Sequence, residues 1–134
     1  MRMLEIVKDY FFKWNDFRSR TSRADFLWMS IFLTIGGFMV RSLRGFVIGY
    51  AATLQDPIVI TAISGVVALM RLFLFIATMS LTARRLHDVD RSGWWVFIVL
   101  TIIGIIPFLI WQFSRGTKGE NRFGKDPLLR VKMN

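Results

Sequence analysis

Apolar residues run along this chain in long blocks rather than in short alternations. Residues 24–40, 57–83 and 94–113 contain only Asp25 and Arg71 as charges. Helices of that length and composition suit a bilayer rather than a soluble core. Ahead of them, Met3, Val7, Tyr10, Trp14 and Phe17 recur at spacings of three and four. Leu4 and Phe11 widen that stripe, and Glu5, Lys8, Asp9, Lys13 and Asp16 fall largely opposite, so residues 1–23 predict an amphipathic helix. They lack the uninterrupted apolar run and small-residue cleavage site of a signal peptide. The apolar stripe fits either the membrane interface or the protein's own membrane helices.

Ser22 and Asp25 have the spacing of a capping box, which opens the first membrane helix. The pattern Val40, Leu43, Val47, Tyr50, Ala51, Leu54 either continues that helix or forms an interfacial piece, and Gln55-Asp56-Pro57 predicts a turn. The second block, at about 1.5 Å per residue, is roughly 40 Å long and should tilt or project. The third, 94–113, spans roughly 30 Å. It follows a cap signal at Asp90-Arg91-Ser92 and contains Gly104 and Pro107. Trp94 and Trp95 at one end and Trp111 at the other are placed as interfacial anchors. The expectation is an all-α integral membrane protein: one membrane domain over 1–134, with an interfacial amphipathic helix at 1–23, membrane helices at 24–113 and a polar tail at 114–134. Three transmembrane helices are expected, with four as the alternative.

Composition adds a constraint of sign. Eighteen Lys and Arg stand against nine Asp and Glu, a formal net charge of +9, in a chain that is 54% hydrophobic. Three crossings would put nine basic residues on one side and eight on the other, so the positive-inside rule gives no orientation. There is no Cys, which excludes a disulfide framework and thiolate metal ligation.

Three polar motifs interrupt the blocks. They are Phe17-Arg18-Ser19-Arg20-Thr21-Ser22-Arg23-Ala24-Asp25-Phe26, then Arg84-Arg85-Leu86-His87-Asp88-Val89-Asp90-Arg91-Ser92-Gly93-Trp94-Trp95, and then Gly116-Thr117-Lys118-Gly119-Glu120-Asn121-Arg122-Phe123-Gly124-Lys125-Asp126-Pro127. In this order they resemble family 805 of the domains of unknown function, a group of small bacterial inner membrane proteins, over about 10–127. The resemblance implies a multi-pass protein of the bacterial inner (cytoplasmic) membrane and implies no activity. Ser19, Asp25, Leu27 and Lys125 depart from the commoner Gly, Glu, Trp and Pro.

The middle motif reads as a mixed-charge loop at the membrane surface. One reading is an internal polar cap in which His87, Asp88 and Asp90 pair with their neighbours, Arg84 with Asp88 at i,i+4 among them. Glu120, Asn121 and Arg122 would tie in from a tail whose glycines predict a fixed clasp. The other is recognition of an anionic headgroup by Arg84, Arg85 and Arg91, the amides around Ser92 and Gly93, and Trp94 and Trp95 for depth. One imidazole, with carboxylates at no diagnostic spacing, argues against a metal site or other cofactor, and no catalytic motif occurs. Nucleic acid is disfavoured because the basic residues are scattered. Arg71 lies deep in the second block and needs a partner. The carbonyls of Ile103 and Gly104, freed by Pro107, are one expectation; a polar cavity, a subunit interface or a shallower placement are the others. The function expected is non-catalytic, binding anionic lipid headgroups or a partner membrane protein; the alternative is an oligomeric channel or transporter component that uses Arg71.

Overall fold

The computed structural model describes residues 2–53 and 57–132. It is built from α1 (Arg2–Phe12), α2 (Arg23–Thr53), α3 (Pro57–Asp88), a 3₁₀ helix (Gly93–Leu100), α4 (Ile105–Phe113) and α5 (Pro127–Lys132). The turn expected at Gln55 and Asp56 lies outside the described residues, as does Leu54. Helices α2 and α3 are each long and apolar enough to cross a membrane. The segment after Val40 is a continuation of α2, which at about 1.5 Å per residue runs roughly 46 Å.

Ser22 caps α2 and pairs with Asp25, as their spacing predicts. The Asp25 amide donates to Ser22 Oγ at 3.2 Å, and that hydroxyl donates to Asp25 Oδ2 at 2.7 Å. One of the orphan amides at the start of α2 is thereby satisfied.

Two expectations are corrected. The amphipathic helix stops at Phe12 rather than running to residue 23, so Trp14 and Phe17 lie beyond it. Lys13 and Asp16 instead turn the chain toward α3, where Ser80 Oγ donates to the Asp16 carbonyl at 2.7 Å. Tyr10 is buried, with its hydroxyl 3.2 Å from Thr78 Oγ1, whereas Leu4, Phe11 and Phe12 stay exposed. One edge of α1 therefore packs on the protein and the other faces outward.

The third block is not one membrane helix. A 3₁₀ helix and a nine-residue α-helix are separated by a turn at 101–104. Trp95 and Trp111, expected at opposite interfaces, have ring centroids 5.5 Å apart. The block thus goes out and comes back. Gly104 allows the reversal, because a Cβ there would sit 2.1 Å from the Ile98 carbonyl oxygen. Pro107 occupies the first turn of α4, where a missing amide hydrogen costs nothing, and Ile103 precedes that helix, so the proline frees no helical carbonyl there.

The described chain separates into two compact units, Met1–Met29 with Ile76–Asn134, and Ser30–Phe75. Within the first, every residue of 80–88 is buried, so its core is the polar end of α3. Within the second, Ala51 alone among the described residues is buried, and large side chains such as Phe38, Phe46 and Leu69 are exposed. That unit consists of two helical stretches whose apolar surface needs lipid or another chain to cover it.

Candidate functional site

The end of α3 carries Arg84, Arg85, His87 and Asp88 within little more than one turn, and all four residues are buried. Asp88 is the hub. Its Oδ1 accepts from Arg20 Nε at 3.2 Å and Nη2 at 3.0 Å, and its Oδ2 accepts from Arg85 Nη1. A carboxylate between two guanidinium groups leaves one net positive charge buried, which persists only if the remaining donors are satisfied. They are. Arg20 Nη1 donates to the carbonyls of Gly119 and Gly124 at 2.8 and 2.9 Å, and Nη2 to that of Thr117 at 2.7 Å. Arg85 donates through Nε to the Gln112 carbonyl at 3.1 Å and through Nη2 to that of Ser114.

The tail closes over this pair because its backbone is built to do so. Gly119 and Gly124 take φ of 78° and 121°, a region that L side chains disfavour, and Asn121 and Gly124 form a bridge. Thr117 donates its amide to the Asp88 carbonyl at 2.8 Å, and Asn121 Nδ2 donates to that of His87 at 2.9 Å. Asp126 Oδ2 accepts from the Gly119 amide at 3.0 Å and Oδ1 from the Leu128 amide at 2.9 Å. The amides of Leu128 and Gly119 hold its carboxyl below the usual carboxylate range.

His87 is fully committed. The Gly93 amide donates to Nε2 at 3.2 Å, so the proton sits on Nδ1, which lies 3.3 Å from the Ser19 carbonyl; the ring stacks on Phe123 with centroids 3.9 Å apart. Arg84 faces elsewhere. Its Nε and Nη2 are buried without a hydrogen-bond partner in the structure, while its carbonyl accepts from the Thr21 amide at 3.1 Å. Burial alone would raise the Asp16 carboxyl. Hydrogen bonds from the Ser19 side chain and the amides of Arg18 and Ser19 outweigh it and hold the group low, helped by the charge of Arg84.

The residues expected to bind a headgroup are therefore divided. Arg85 is spent on Asp88 and two carbonyls, and the Gly93 amide on His87, so neither is open to a phosphate. Ser92 Oγ accepts from the Trp94 amide at 3.5 Å and caps the 3₁₀ helix. Arg91 is exposed with its guanidinium 5.1 Å from the Trp111 ring centroid, and Trp94 and Trp95 are exposed. Of the expected polar cap, His87, Asp88 and Asn121 come together. Asp90 pairs with Arg122 at 3.1 Å on the surface, and Glu120 is exposed without a bond among the described residues. The partners of Asp88 are Arg20 and Arg85, not Arg84. Arg71 is exposed on α3 and its side chain makes no hydrogen bond among the described residues. Sequence reasoning missed Arg20, Thr117 and Gly116. A Cβ on Gly116 would lie 2.1 Å from Asp88 Oδ2, so this glycine lets the tail reach the carboxylate. The available signal was that Arg20, Asp88 and Thr117 each stand inside one of the three motifs.

A family model described as "Protein of unknown function (DUF805)" matches residues 14–125, which include Arg20, Arg85, Asp88, Thr117, Gly119 and Gly124. The chain belongs to the DUF805 family. It is 34% identical to inner membrane protein YhaH of Escherichia coli K12 over 127 residues, 94% of this chain and 95% of that one. It is 43% identical to inner membrane protein YhaI of the same strain over 54 residues, 40% of this chain and 46% of that one. No solved structure matches. With these relatives and two apolar helices of spanning length, this DUF805 chain is an inner membrane protein.

Proposed function

We propose that this protein is a non-catalytic membrane module whose basic cap binds anionic lipid headgroups. The observation that carries this reading is the division of its charges. The carboxylate at the centre is consumed by Arg20 and Arg85, whereas Arg18, Arg91, Arg115, Lys118 and Lys125 are exposed without a carboxylate partner among the described residues. Exposed cations beside membrane helices are attracted to anionic leaflets by about 1 kcal/mol each. Exposed Trp94 and Trp95 supply interfacial anchors in the same unit. A non-catalytic role is supported by the state of the two best proton-transfer groups: His87 and Asp88 are both buried and fully bonded.

The triple variant Arg115→Gln, Lys118→Gln, Lys125→Gln should lower affinity for phosphatidylglycerol or cardiolipin by about a hundredfold, the equivalent of about 3 kcal/mol. Native mass spectrometry of protein extracted with its lipids reads this directly. Unchanged bound lipid in a folded variant would rule the reading out, and a retained protein in its place would favour a partner membrane protein.

Arg71 favours a second reading. An exposed, unpaired arginine within an apolar helix is costly in lipid unless another chain or a water-lined cavity receives it. If it lines an oligomeric channel or transporter, reconstituted protein should show solute or ion flux that Arg71→Leu abolishes. Flux unaltered by that substitution would exclude the role.

A further inference from the structure

We infer that residues 93–113 form a re-entrant hairpin that enters the leaflet on the side of the cap, turns within its acyl chains and leaves by the same face. This goes beyond headgroup binding, because it concerns an apolar insertion and the path of the chain rather than the cations of the cap.

Both ends of the segment are tied to the end of α3. At the entry, the Gly93 amide is bonded to His87, and a Cβ on Gly93 would lie 2.9 Å from that of Ala83. At the exit, Arg85 holds the carbonyls of Gln112 and Ser114. Between these ties the arms match. Eight residues of 3₁₀ helix rise roughly 16 Å at about 2.0 Å each. Nine residues of α4 rise roughly 14 Å at about 1.5 Å each. Half of a hydrocarbon core about 30 Å thick is about 15 Å, so either arm reaches the middle of the bilayer and neither crosses it.

The composition and bonding of the segment fit that depth. Residues 94–113 contain no charge, and the tip exposes Leu100, Ile102 and Ile103 at 83%, 88% and 85%. The apposed Trp95 and Trp111 mark the base, with Arg91 over Trp111 at headgroup level. A turn in lipid gains from each bond made within its own backbone, and three amides of this one make such a bond. Here the Thr101 amide donates to the Ile98 carbonyl at 3.0 Å, the Gly104 amide to that of Thr101 at 3.0 Å, and the Ile105 amide to that of Ile102 at 3.4 Å. The Thr101 hydroxyl adds a bond to Ile98 at 2.7 Å.

The hairpin also resolves the charge balance. Once 93–113 ceases to be a crossing, six basic residues up to Arg23, three from Arg84 to Arg91 and six after Phe113 share one side, fifteen of the eighteen. Such a bias assigns the cap to the cytoplasm and leaves α2 and α3 as the two spans.

The natural sequence has no cysteine, so single Arg91→Cys and Lys118→Cys variants can be labelled cleanly. With a membrane-impermeant maleimide, both should be protected in spheroplasts and labelled in inverted inner-membrane vesicles. One residue labelling from each face would overturn the hairpin; both labelling only in spheroplasts would overturn the orientation. A nitroxide on Ile103→Cys in phosphatidylethanolamine–phosphatidylglycerol vesicles should be relaxed by oxygen far more than by a water-soluble nickel complex. The reverse ratio would show the tip outside the acyl chains and sink the insertion. Neither readout depends on which headgroup the cap prefers.

Discussion

Replacing Asp88 with alanine is expected to cost about 3–5 kcal/mol, because it leaves the guanidinium groups of Arg20 and Arg85 buried together without a countercharge. Their side chains are no more than 1% exposed, so water cannot take over the missing partner without opening the tail. Since whole domains are stable by only about 5–15 kcal/mol, the cap should unfold under conditions that the parent protein withstands. The check is an equilibrium unfolding series in mixed micelles. Arg20→Met supplies the control for mechanism. If the charges act as a unit, it should cost much less in the Asp88→Ala background than alone, a coupling that a double-mutant cycle measures. A loss below about 1 kcal/mol for Asp88→Ala, or strict additivity of the pair, would show that burial in micelles does not isolate the network.

Gly116→Ala is the second large effect expected, and it comes from a single methyl group. The added Cβ would lie 2.1 Å from Asp88 Oδ2 and 2.6 Å from Cγ. Elsewhere a flexible side chain would rotate away, but this carboxylate is held by Arg20 and Arg85. The tail must shift instead, at the expense of the 2.8 Å bond from the Thr117 amide to the Asp88 carbonyl. Overpacking of this kind costs about 1–3 kcal/mol, and the upper end is expected here because a charge network moves with it. Gly36→Ala, where the Cβ meets nothing within 4 Å, should be neutral or slightly stabilising in the same assay. Proteolysis within 114–127 offers an independent readout: the Gly116→Ala tail should be cut sooner than that of the parent.

The parts of this protein that are governed by nearby residues were legible in its sequence. The helix cap at Ser22 and Asp25, the two long apolar helices and the fixed, glycine-shaped tail all follow from local chemistry. The three polar motifs also marked the family correctly. Two other features were hidden for physical reasons. Arg20 looks like one member of a surface run, and nothing at i,i+3 or i,i+4 reveals that its partners are 68 to 104 residues away. Residues 94–113 satisfy the length and composition of a crossing; the information that they reverse lies in tertiary contacts, Trp95 on Trp111 and the room for Gly104 beside Ile98. Hydropathy measures preference for lipid and carries no direction of travel. The same blindness placed Arg85 in a surface loop, when the burial of its helix turn beneath the tail puts it in the core.

The clasp on Arg20 sets an order of events during synthesis. Three of the carbonyls that receive its guanidinium belong to Thr117, Gly119 and Gly124, which are made about a hundred residues later. At translation speeds of about 5–20 residues per second, Arg20 waits roughly 5–20 seconds for them. Within that time α2 and α3 are completed and become available to the insertion machinery, while the cap still has no closed form. A chain halted before Thr117 would therefore enter the membrane with Arg20 held by Asp88 alone, without the three carbonyls that close over its guanidinium in the finished chain.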